Sequence, residues 1–254
     1  MYEPVWASID DLLSSMSDED WATPSLCPDW SMRGVITHLA GVESMLAQWM
    51  PDSADDPLPF AAVIEYTTIA SGWSNADLVA DYRRLIDLRR RQLAELADEI
   101  YDGPSATPVG PGTYRRFMDI RVFDFWVHER DMRIPLGRPA VSEAGPAAER
   151  SVEEVAMSIG YIVGKKIGLP DGKSIAFDLT GPVQRRICAA VEGRAKAVDQ
   201  LDDPSVTVST DSTTFVMLAC GRIDPDEQIS RGTISWTGDD EIGAHAARSL
   251  RFTM

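Results

Sequence analysis

The sequence has 254 residues, 44% hydrophobic and 25% charged, the balance of an ordinary globular protein with room for one domain or, more naturally, two. A formal net charge of −16 excludes a general nucleic-acid binder and a binder of anionic membranes, because phosphates would be repelled. The N-terminal stretch is acidic at Glu3, Asp10 and Asp11 where a signal peptide would be basic, and no apolar run approaches the roughly 18 residues of a membrane span. A cytoplasmic protein is therefore expected. Cys27, Cys188 and Cys220 are far apart and odd in number, which fits free thiols in a reducing compartment rather than a disulfide framework.

Val5 to Met16 reads as a first helix, with Val5, Ile9, Leu12, Leu13 and Met16 on one face. After a loop through Pro24 and Pro28, Ser31 is placed to cap a helix that carries Val35, His38, Leu39, Val42, Leu46 and Trp49 to Met50, where Pro51 ends it. Gly34 stands where a capping box would need Glu, so only half of that box is expected. Phe60 to Ala70 is read as a short helix in spite of the β-branched content of Tyr66 to Ile69. Asn75 is placed as the cap of a long helix to about Ile100, whose Arg83, Arg84, Arg89, Arg90 and Arg91 read as solvated. Gly103 to Gly112 is too rich in glycine and proline for regular structure and reads as a loop. Tyr114 to Arg133 contains neither residue type and reads as an amphipathic helix, and Ser142 starts a further one towards Gly168.

Helices joined by short loops imply an up-and-down bundle over residues 1–168. The pattern then changes. Ser174 to Thr180 and Gln184 to Val191 alternate like strands around a turn at Gly181 and Pro182, with further strands at Val206 to Ser209 and Thr233 to Trp236. Helices are expected at Ser212 to Cys220 and Glu241 to Leu250. Residues 172–254 therefore read as a small α+β domain, and the whole chain as α+β, with its boundary near residues 169–172.

Asp124, His128 and Asp131 stand at i, i+4 and i+7 of the Tyr114–Arg133 helix, on or beside the stripe that faces the core. Buried polar groups cost free energy unless partnered, and a carboxylate one turn from an imidazole can grip a metal. His38 sits in the apolar stripe of its own helix, and facing helices of a bundle bring such residues together. Two imidazoles and a carboxylate leave a fourth position open, the pattern of catalytic zinc. The alternative is two histidines satisfied within the core and a carboxylate paired to an arginine such as Arg121.

The stretch from Trp30 to Glu43, containing His38 and preceded by Cys27-Pro28, resembles the N-terminal motif of the mycothiol-dependent maleylpyruvate isomerase family, whose bundle is of the DinB type. The stretch Val122 to Arg133 resembles that family's second metal motif, and the tail from Ser205, with its Leu218 to Arg222 turn, resembles its small C-terminal domain. The resemblance implies a divalent metal, zinc or another, at His38, Asp124 and His128, with mycothiol as thiol cosubstrate and a small electrophile as the second partner. The family prototype carries Glu where this chain has Asp124. Asp131 matches an acidic position that supports the site or takes part in catalysis, with an ordinary salt bridge to Arg133 or another basic neighbour as the alternative. Arg121 is a candidate for an anionic substrate group, with pairing to a carboxylate ligand beside it, and Arg222 is a candidate to reach a cleft between the domains. Cys27 has no base adjacent in sequence and is assigned a structural role. Three functions follow: a zinc enzyme that adds mycothiol thiolate to an electrophile as isomerase or S-transferase, a non-catalytic thiol- or ligand-binding bundle, or a metal-dependent hydrolase.

Overall fold

Apolar residues at helical spacing in the first half of the chain do form helices, each placed by a recognisable start or stop. The structure, a computed structural model, describes residues 1–51, 53–141 and 143–252. The chain divides into two compact units, Met1–Val141 and Ser142–Met254. In the first unit, α1 (Tyr2–Ser15) and the short α2 (Asp18–Ala22) precede α3 (Met32–Gln48), α4 (Phe60–Ala70) and α5 (Asn75–Glu95). A one-turn α6 (Asp98–Tyr101) and a hairpin of β1 (Pro104–Thr107) and β2 (Gly110–Thr113) lead into α7 (Tyr114–Arg133). α3 packs on α4, α5 and α7, and α1 packs on α7, around a core that includes Ile9, Leu12, Leu39, Leu85, Phe117 and Phe125.

Local chemistry sets the helix starts. The Ser31 hydroxyl accepts from the Gly34 N–H at 3.1 Å, and the cap is half a box, as Gly34 predicts. The cap of α5 is Ser74 rather than Asn75: Ser74 accepts from the Asp77 N–H at 3.1 Å and Asp77 accepts from the Ser74 N–H at 3.3 Å, a reciprocal box that Asn75 cannot make. α5 also stops at Glu95, because Leu96 turns extended. The stretch expected to be irregular is an antiparallel ribbon pairing Pro104 with Thr113 and Thr107 with Gly110. A two-stranded ribbon is all edge, so the missing N–H groups of its prolines break no ladder.

In the second unit, α8 (Pro146–Met157), α9 (Ile159–Tyr161) and a π-helical turn (Ile162–Ile167) end at Gly168, which takes the left-handed φ of 64°. The sheet runs β5-β4-β3-β6-β7, built from β3 (Ser174–Thr180), β4 (Arg185–Glu192), β5 (Arg194–Val198), β6 (Val206–Asp211) and β7 (Ile234–Gly238). The β3–β4 hairpin turns where Gly181 and Pro182 predict, and β6 pairs parallel to β3. Helices α10 (Ser212–Ala219), α11 (Pro225–Arg231) and α12 (Asp240–Ser249) complete the α+β unit. β5 and α11 were not expected; neither carries a clear apolar period, and β5 is an edge strand with no fully buried side chain. The division also falls one helix earlier than residues 169–172. α8 buries Ala148, Ser151, Val152 and Val155 and packs on α10, so it belongs to the second unit rather than to the bundle. Ser142, expected to start that helix, lies outside the described residues; α8 begins at Pro146. Among the described residues no helix is long and apolar enough to cross a membrane.

Ser31 caps the helix that carries His38. Replacing it by Ala is expected to cost about 1 kcal/mol of stability and replacing it by Gly only a few tenths, read from urea unfolding midpoints. Equal losses for the two would show that the hydroxyl cap is not what starts α3.

Candidate metal centre

The site is assembled by a loop folded back over the end of α7. The Leu26 N–H donates to the Asp131 carbonyl at 2.9 Å, and Pro24 bridges to Ser31, which closes residues 24–31 into a short excursion. Within it Asp29 has a φ of 64°, the one described non-glycine residue with positive φ, a conformation that Asp tolerates better than most side chains. The excursion lays Trp30 against both imidazoles, with ring centroids 4.9 Å from His38 and 5.7 Å from His128, the latter nearly parallel at 18°.

Under Trp30, α3 and α7 bring His38, Asp124 and His128 together, with one ligand atom of each within 4.8 Å of the others. His38 Nε2 lies 3.2 Å from Asp124 Oδ2, and His128 Nε2 lies 3.4 Å from Asp124 Oδ1. Each imidazole thus faces a different oxygen of the one carboxylate, and the three groups are close enough to hold a metal ion between them. The second nitrogen of His128 is also accounted for. Nδ1 lies 2.8 Å from Asp131 Oδ2, and donation from Nδ1 to that carboxylate leaves the Nε2 lone pair facing the cluster. Asp131 is fully buried, with its carboxylate against His128.

Arg121 reaches the cluster from one turn earlier on α7. Its Nη1 donates to Asp124 Oδ2, while Nη2 and Nε donate to Glu43 Oε1 at 2.9 and 3.1 Å. Those contacts realise the pairing alternative and spend the guanidinium that the substrate role would need. Glu43 Oε2 in turn accepts from Arg89 Nε at 3.1 Å. Arg89 is 1% exposed, which corrects its reading as a solvated arginine of α5. Arg222 lies in the other unit, just after α10, where its Nη1 donates to the Cys220 carbonyl at 3.0 Å. Cys27 is buried and forms a second close group with His128 and Asp131. No base is adjacent to Cys27 in sequence, but the loop carries it onto residues a hundred positions away.

The charges follow from these contacts. Burial opposes ionisation of Asp124, but Arg121, then His128 and His38, outweigh it and hold the carboxyl well below its usual range. Burial pushes His38 down against the pull of Asp124. Burial acts the same way on His128, yet the Asp124 and Asp131 carboxylates prevail and push it up to about 9.

A cavity of about 440 Å³ opens beside the cluster, and His38 is the cluster member that lines it. Its hydroxyls are Ser31, Thr37, Thr67 and Ser71. Thr37, Thr67 and Ser71 spend their hydrogens on the carbonyls of Arg33, Val63 and Thr68, at 2.8, 2.9 and 2.7 Å. Arg33, the cavity's cation, donates to Asn75 Oδ1 and to the Ala70 and Trp73 carbonyls at 2.6, 2.7 and 2.8 Å. With Asp29 also on the wall, the lining offers mainly lone pairs, which suits a ligand that brings its own donors.

Two imidazoles and a carboxylate converge inside a helical unit as a group that could hold a metal ion, and a five-stranded α+β unit follows. Residues 2–133 match the family model of the mycothiol maleylpyruvate isomerase N-terminal domain, and residues 149–244 match the MDMPI C-terminal domain. The chain belongs to the mycothiol maleylpyruvate isomerase family. Similar solved structures include crystal structures of the mycothiol-dependent maleylpyruvate isomerase and of a point mutant of it. Each is 17% identical, with a TM-score of 0.62 over 98% of this chain and 92% of theirs, a likeness of fold. No curated protein matches the chain.

In metal-free protein the raised value makes the His128 imidazolium a stabilising group below its ordinary 6.5, and that contribution is lost as pH rises through about 9. A divalent ion at Nε2 must displace the same proton. Zinc binding at neutral pH is therefore expected to release a proton, with apparent affinity rising about tenfold per pH unit until His128 has titrated. Calorimetry in buffers of different ionisation enthalpy measures this; zinc binding without proton release would contradict it.

Proposed function

We propose that this chain is an enzyme that holds a divalent metal, zinc first among candidates, with His38, Asp124 and His128, and uses it on mycothiol for addition of the thiol to a small electrophile, as an isomerase or S-transferase. The observation that carries the reading is the convergence of two Nε2 atoms and a carboxylate from α3 and α7, with the far nitrogen of one imidazole tied to Asp131. Mycothiol and isomerisation enter through the family and through the name of its structural relatives.

A bound divalent metal supplies a Lewis acid that lowers the pKa of a coordinated thiol into the neutral range. The chain's own residues do the rest. Asp131 is a positioning residue that fixes the tautomer and ring plane of His128. Trp30 stacks on the face of His128 and packs at a tilt against His38. The cavity beside His38 is the space open to the body of a donor-bearing ligand. Sulfur that adds to an electrophilic double bond and leaves after rotation yields an isomer; sulfur that stays yields an S-conjugate.

Protein purified without added metal is expected to contain about one divalent ion per chain, and His128→Ala to contain none at stoichiometric level. Metal-free unmutated protein would overturn the assignment. Asp131→Asn is expected to weaken metal binding about 10- to 100-fold while the protein stays folded. With cobalt in the site, mycothiol is expected to produce a new thiolate-to-metal charge-transfer band. Absence of the band with retained hydrolytic activity favours water as nucleophile, and a band without turnover of any electrophile favours a thiol binder.

A further inference from the structure

We propose that Glu43 is a positioning residue for this centre: acting through Arg121, it determines how much of the Asp124 carboxylate is left free for an ion. The inference rests on the metal reading above. Glu43 lies on α3, one helical face along from His38, and is 2% exposed. It divides its carboxylate between two buried arginines, Oε2 taking Arg89 Nε at 3.1 Å and Oε1 taking Arg121 Nη2 and Nε at 2.9 and 3.1 Å. Arg89 is anchored in turn, its Nη2 donating to the Tyr114 hydroxyl at 2.9 Å and its Nη1 to Gln92 Oε1 at 2.9 Å.

The result is a chain of alternating charge, Arg89, Glu43, Arg121 and Asp124, running across α3, α5 and α7 and ending at the cluster. Because Glu43 occupies one edge of the Arg121 fork, only Nη1 is left for Asp124, and it takes Oδ2. Asp124 Oδ1 then remains turned to His128 Nε2. A guanidinium released from Glu43 can turn its fork to a carboxylate and bind both oxygens in parallel. Asp124 is the carboxylate within its reach, so loss of the Glu43 charge sets Arg121 in competition with the metal. A purely structural Glu43 would lower stability and leave the metal affinity of folded molecules unchanged.

The test uses full-length Glu43→Gln, with zinc affinity measured by chelator competition and the two imidazoles followed by nitrogen–proton correlation spectra in metal-free protein. Zinc binding per folded molecule is expected to weaken about 10- to 100-fold, both imidazole spectra to shift, and a further Arg121→Met to recover most of the affinity. Affinity within twofold of the unmutated protein, or no recovery in the double variant, overturns the proposal. If Glu43→Gln leaves too little folded protein, Glu43→Gln with Arg89→Met removes one buried cation with the anion and is expected to weaken zinc binding by a similar factor; unchanged affinity there is equally fatal. Should the unmutated protein bind no zinc, the metal reading fails on its own, and the metal-free imidazole spectra still decide the positioning: unchanged resonances in Glu43→Gln overturn it.

Discussion

Charge buried in the helical unit has to be neutralised by charge from another helix, and much of the unit's structure serves that requirement. Arg89 and Arg121 are 1% and 3% exposed, and each would be a severe liability alone. Glu43 sits between them and Asp124 closes the series, so two cations meet two anions along one connected path. Truncating any inner member leaves an uncompensated buried charge, whereas the gain from having the network at all is small. The network is better understood as fixing geometry than as adding stability. It ties α3, α5 and α7 together and ends at the cluster where His38 and His128 meet.

The other end of α7 repeats the device with different residues. Glu129 is fully buried, yet it accepts from the Ser8 hydroxyl and from the Val141 N–H at 3.2 Å and pairs with Arg130 at 2.9 Å and Arg133 at 3.4 Å. Arg133 donates to the Ser8 carbonyl at 2.6 Å, which binds α1 to the C-terminal turns of α7. α7 is thus a central helix with polar anchors on both sides of the cluster. The imidazole of His128 is held between them, with Asp131 against one nitrogen and Asp124 near the other. A helix clamped in this way limits the freedom of the side chains it carries into the cluster, which is the condition for a preorganised site.

How far these arrangements could be read from sequence depended on whether the signal was local. His38, Asp124 and His128 were legible because each is a polar residue on an apolar helical stripe, and a misplaced polar group is visible without knowing its partner. The cap at Ser31, the α7 boundaries and the β3–β4 turn were legible for the same local reason. Arg89 was not, since among five arginines of one helix nothing marks the one whose face is buried; its partner Glu43 lies on another element. The company of Cys27 was hidden for a matching reason, because its neighbours His128 and Asp131 arrive only where the backbone of Leu26 meets that of Asp131. The β1–β2 ribbon was hidden by prolines that rule out a central strand but not an isolated pair of edges.

Asp124 gathers these constraints into one side chain. Its shorter arm, compared with the glutamate of the family prototype, departs from the motif, yet it reaches both imidazoles. From one turn before His128 it spans both imidazoles, 3.2 Å to one and 3.4 Å to the other, with its two oxygens divided between them. The arm has no slack: Arg121 holds the oxygen on the His38 side, so the carboxylate cannot swing away from the cluster without breaking a buried ion pair. A longer side chain at the same position would gain torsional freedom and would have to be restrained by something other than Arg121. The residue that departs from the motif is thus the one at which the buried chain Arg89, Glu43 and Arg121 meets the cluster.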